Sequence, residues 1–94
     1  MLYRNLYSII TNGLILQWGK VEGENKTSTI SGKVIFPISY ENFASTILAT
    51  AIGAGDFVDI SEIKKGEFSY MILDRDYRSG VVVSKNFYWF SIGY

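Results

Sequence analysis

The sequence predicts an all-β domain, a six-stranded antiparallel β-sandwich. Three observations predict it. Apolar and polar residues alternate with a period of two through most of the chain. Gly-rich and polar turn signals recur at regular spacing. The runs between them are rich in Val, Ile, Thr and aromatic residues, which suit a pleated, half-buried surface. A chain of 94 residues fits one domain.

Gly13 opens the first predicted strand, Leu14 to Val21, with Leu14, Leu16 and Trp18 on one face. Glu22 to Asn25, around Gly23, is a turn. The second strand runs from Lys26 to Phe36. Its Ile30, Val34 and Phe36 share one face, while Thr27, Thr29 and Lys33 take the other. Pro37 ends it, because proline cannot donate to a ladder. Ile38 to Asn42 connects to a third strand, Ala44 to Ile52, where Thr46, Ile47, Thr50 and Ile52 argue against helix. Gly53 to Asp56 turns into a fourth strand, Phe57 to Ile63. Lys64-Lys65-Gly66 is a tight turn. The fifth strand, Glu67 to Leu73, sets Phe68, Tyr70 and Ile72 against Ser69, Met71 and Leu73. Asp74 to Gly80 is a polar loop, and Val81 to Ile92 is the last strand.

Hydrophobic residues make up 48% of the chain and aromatic residues 16%, a load that a domain this small hides only in part when it folds alone. Some of that surface is therefore expected to meet a partner. Net charge is zero and no basic run exists, so neither nucleic acid nor an anionic membrane is an expected partner. Met1 to Ile10 is too short and interrupted to insert in a membrane. Cys and His are both missing, which removes the thiol nucleophile, the commonest general base and most transition-metal ligands. Asp56, Asp59, Glu62, Asp74 and Asp76 are spread over turns and strand edges rather than placed as a catalytic pair. No enzymatic activity, cofactor or metal is expected.

Three segments carry more than patterning: Asn12-Gly13-Leu14-Ile15-Leu16-Gln17-Trp18-Gly19, Val34-Ile35-Phe36-Pro37-Ile38-Ser39-Tyr40, and the aromatic Phe87 to Tyr94. Their order and spacing resemble the C-terminal domain of bacteriophage tail-fibre proteins. The resemblance covers residues 12–94 and leaves residues 1–11 as a shaft-proximal linker or a cloning remnant. It implies a homotrimeric fibre tip, assembled in the host cytoplasm and carried on the virion, that binds a host-surface receptor, a glycan or an outer-membrane component. The strand layout is also similar to the H-type lectins, trimeric sandwiches that bind carbohydrate, although no sugar-contacting residue of theirs maps onto this chain.

If the N-terminus joins the shaft and six strands alternate in direction, the first, third and fifth turns face outward. That places Asn25, Asp56 and the loop Asp74, Arg75, Asp76, Tyr77 and Arg78 at the receptor. Guanidinium forks and carboxylates bind vicinal hydroxyls, and a Tyr ring stacks on a sugar face. The competing reading is a solvated loop of weak local ion pairs. Trp18, Ile15, Phe87 and Trp89 are candidates for the trimer interface or for the core. Alternation alone does not decide between them. Two further readings stay open: a trimerising cap with no ligand of its own, and a free-standing lectin.

Overall fold

The computed structural model describes residues 2–27, 29–52, 56–74, 76 and 82–94, with residues 2–11 described by their backbone. Seven strands form among them: β1 (Leu2–Thr11), β2 (Leu14–Glu22), β3 (Ile30–Ile35), β4 (Ala44–Ala51), β5 (Asp56–Ser61), β6 (Glu67–Asp74) and β7 (Phe87–Gly93). They build two sheets, β1-β2-β7-β4 and β3-β6-β5, with every pairing antiparallel. The sheets pack face to face as the period-two pattern predicts.

The six predicted strands are β2 to β7, and β1 is the addition. Leu2–Thr11 pairs with β2 from Leu2↔Glu22 to Thr11↔Leu14, with one irregularity between Arg4 and Tyr7. Asn12 (φ 49°) and Gly13 (φ 81°) make the two-residue turn between them. Two successive left-handed residues are what a tight hairpin of matching twist requires, and Asn-Gly supplies them with little strain. Two predicted strands are shorter than expected. Lys26 stands apart from β3 and instead forms a lone bridge with Val83, which itself precedes β7. Asp56 and Asp74, predicted in turns, are the first residue of β5 and the last of β6, and they face each other in register.

The core lies between the sheets. Val21, Ile30, Val34, Phe36, Tyr40, Phe68, Tyr70, Ile72, Val83, Phe87 and Trp89 are buried there. Aromatic rings dominate it: Trp89 packs against Phe36 and Phe68 at centroid distances of 5.8 and 5.9 Å, and Tyr70 meets Phe87 edge-on at 4.8 Å. Gly19 lies opposite Trp89 in the β2–β7 register, leaving room for the indole.

The connection after β3 closes one end of the sandwich through polar contacts. Gln17, fully buried in β2, accepts from the Ile38 amide and donates to the Ile38 carbonyl, both at 2.8 Å. A single side-chain amide thereby satisfies both backbone groups of a residue outside the ladders. Tyr40 reaches across to Ser91 with a 2.6 Å hydrogen bond between buried hydroxyls. Tyr40 N–H donates to the Lys65 carbonyl, and the amides of Asn42 and Phe43 donate to the Tyr94 carbonyl. A side chain at Gly93 would strike the Phe43 carbonyl and the Tyr40 ring, so the C-terminal strand and this loop touch backbone to backbone.

Candidate functional site

Antiparallel pairing sorts the connections into two ends. At one end sit Glu22 and the Gly23 to Lys26 turn, the 82–86 segment, Asp56, Asp74 and Asp76. Hydrogen bonds join them: Gly23 N–H to Asn86 Oδ1, Ser84 N–H to Asp56 Oδ2, and the Lys26–Val83 backbone pair. At the other end sit the Asn12–Gly13 hairpin, the Pro37 to Phe43 loop, Lys64 to Gly66 and Tyr94.

The structure therefore brings Asn25, Asp56, Asp74 and Asp76 to one end, as strand counting expects. Arg75, Tyr77 and Arg78 lie outside the described residues. Two of the carboxylates are committed to the fold. Asp74 is buried and its Oδ2 accepts the Asp76 amide at 3.0 Å, while Asp56 Oδ2 accepts the Ser84 amide at 2.9 Å. No group of three or more Asp, Glu, His or Cys suited to a metal forms among the described residues.

The added strand changes what that end means. β1 starts with Leu2 opposite Glu22. The chain thus enters at the end that carries Asn25, Asp56 and Asp74, whereas a count of six strands places its entry at the opposite end. Each missed strand reverses such a count.

Of the interface-or-core candidates, Phe87 and Trp89 are core, fully or almost fully buried within one copy. Ile15 packs partly against that core. Trp18 belongs to the outer face of the four-stranded sheet. There the register aligns three rows across β2, β7 and β4: Lys20–Tyr88–Thr50, Trp18–Phe90–Leu48 and Leu16–Ile92–Thr46. Lys20 ties to Glu22 at 3.0 Å and lies over the Tyr88 ring at 5.5 Å. Towards the other end the face turns apolar, with Leu48 62% and Phe90 38% exposed. Sequence analysis missed Leu48 and Phe90. The available signal was the run Phe87-Tyr88-Trp89-Phe90, which is bulky on both faces of its strand.

The outer face of the three-stranded sheet has a different character. Lys33, Ser69 and Ser61 form one row across it, and Ser31, Met71 and Asp59 the next.

A sequence model of the family described as "Putative tail fiber protein gp53-like, C-terminal" matches residues 9–94. The chain belongs to this tail-fibre family. Two solved structures share the fold of this tail-fibre domain. The N-truncated R1-type pyocin tail fibre superposes with a TM-score of 0.70 at 18% identity, over 86% of this chain and 71% of that one. The P. aeruginosa R1 pyocin fibre comprising C-terminal residues 323–701 gives 0.69 at 19% identity, over 86% of this chain and 23% of that one. No curated protein matches the tail-fibre domain.

Proposed function

We propose that this tail-fibre domain is a homotrimeric fibre tip that binds a host-surface receptor during adsorption, on a particle assembled in the host cytoplasm. Family membership supports the tail-fibre role. The outer face of the four-stranded sheet carries the trimer: Trp18, Phe90 and Leu48 align in one row, and a single copy leaves much of that row in water. Threefold closure about a fibre axis covers such a face, and three weak receptor sites on one tip reinforce each other.

The face that carries the trimer also favours a second reading, a trimerising cap without a ligand. The two separate by experiment. Size exclusion coupled to light scattering should give a mass of three chains. The purified trimer should compete with intact particles for adsorption to host cells. A stable single-chain species at high concentration would remove the trimer. A trimer that fails to compete at saturating concentration would leave the cap.

Where the fibre shaft leads into Leu2, the end carrying Asn25, Asp56 and Asp74 faces the shaft. Recognition then belongs to the opposite end or to a sheet face near it. Replacing Asn25 and Asp76 together by Ala should leave adsorption intact. Its loss would return the receptor to those loops.

A further inference from the structure

The geometry points to a neutral-saccharide subsite on the outer face of the three-stranded sheet, in a groove lined by Ser31, Lys33, Ser61, Glu62, Ser69 and Met71. This inference rests on the receptor-binding reading above and gives it a location and a ligand class. The groove is shallow and broadly open to solvent, with a volume of about 360 Å³. That volume falls at the low end of small-molecule sites, about 300–1,000 Å³.

Its concavity comes from side-chain size. Ser69 and Ser61 are short residues in the row that begins with Lys33, and Ser31 sits beside Met71 in the next row. Long side chains at Lys33, Met71 and Glu62 stand around the short ones. Lys33 is held to one side by Glu67 at 3.2 Å. Glu62 has φ 46°, the left-handed region that a residue with a bulky side chain seldom adopts. It directly follows the end of β5 and lines the groove.

The lining chemistry selects the ligand. Three hydroxyls each donate and accept, a carboxylate accepts from vicinal hydroxyls, and the 40%-exposed Met71 offers an apolar patch to the C–H face of a pyranose. Charge argues for a neutral sugar. With Lys33, Lys64 and Lys65 matching Asp59, Glu62 and Glu67 on these strands and the turn that joins them, no net charge draws an acidic glycan. Position agrees as well. Ser61 and Glu62 lie towards the Lys64 to Gly66 turn, the end away from chain entry at Leu2.

The test uses the full chain on an array of neutral and acidic oligosaccharides, with Ser69→Trp to fill the groove. Ser61→Tyr on exposed β5 is a second filler should the first fail to fold, and circular dichroism monitors both. The expected result is binding to neutral glycans by the wild type, weakened at least about tenfold in the folded filler variant. Undiminished binding by a folded filler variant overturns the groove while leaving receptor binding in place. Binding confined to acidic glycans, or to none, overturns the neutral-saccharide subsite. The adsorption competition described above then judges the receptor reading independently.

Discussion

Gln17→Leu tests how the loop that closes the sandwich is held. Leucine fills nearly the same volume but removes both 2.8 Å hydrogen bonds to Ile38. The Ile38 amide and carbonyl then lose their partners. A stranded buried group costs about 1–3 kcal/mol. Ile38 is half-buried, so water reaches part of the site and the low half of that range applies. The sum over two groups is about 2–4 kcal/mol. For a domain of this size each kcal/mol lowers the melting temperature by about 4–8 °C, giving a drop of about 8–32 °C. The assay is urea unfolding followed by tryptophan fluorescence at one fixed chain concentration, since association adds concentration-dependent stability. A loss below about 0.5 kcal/mol, the ordinary scatter of a surface substitution, would refute the reasoning. Gln17→Glu supplies a pH signature. The protonated carboxyl can still donate to the Ile38 carbonyl, but the ionised one sets acceptor against acceptor in a buried site. Its folded-state pKa is therefore raised, so the variant should be most stable below about pH 4 and lose stability as pH rises through the introduced carboxyl's folded value.

Further outcomes follow from the same geometry. Gly93→Ala should cost about 1–3 kcal/mol by overpacking, because the new methyl meets the Phe43 backbone and the Tyr40 ring; an unchanged urea midpoint would contradict that close approach. Tyr40→Phe should lose about 1–2 kcal/mol through the stranded Ser91 hydroxyl. Adding Ser91→Ala should recover part of it, and a cycle with no coupling would show that the 2.6 Å bond carries nothing. Leu48→Asp, on an exposed strand position, should leave the circular dichroism spectrum unchanged while light scattering shifts to a single-chain mass. A persistent trimer would move the interface off this face.

Much of the fold is legible in the sequence. Alternation finds β2, β4, β5 and β6 to within about two residues, and it groups Ile30, Val34 and Phe36, and Phe68, Tyr70 and Ile72, on shared faces that the structure turns inward. Two things escape it. Alternation divides a strand into two faces without naming the core. On β2 the bulky set Leu14, Leu16 and Trp18 points outward, and Gln17, Gly19 and Val21 point in. Gly19 lies opposite Trp89 and Val21 opposite Phe87, so these inward positions carry modest side chains beside large ones, while Gln17, opposite Ser91, hydrogen-bonds to Ile38. The second omission is β1. Leu2 to Thr11 alternates poorly, but Asn12-Gly13 is among the strongest hairpin signals a sequence offers. Read as a turn rather than as a strand start, it yields the seventh strand and reverses the inferred orientation. The site was less legible because it depends on which sheet face is apolar and on how neighbouring strands align.

The β1–β2 hairpin also has a mechanical consequence. A pull on Leu2 along the strand draws β1 lengthwise past β2, since the reversal at Asn12–Gly13 lies at the far end. The pairs from Leu2↔Glu22 to Thr11↔Leu14 then resist in shear, sharing the load, rather than peeling one after another. Load applied along the strands would thus meet the sturdiest way of stressing two paired strands.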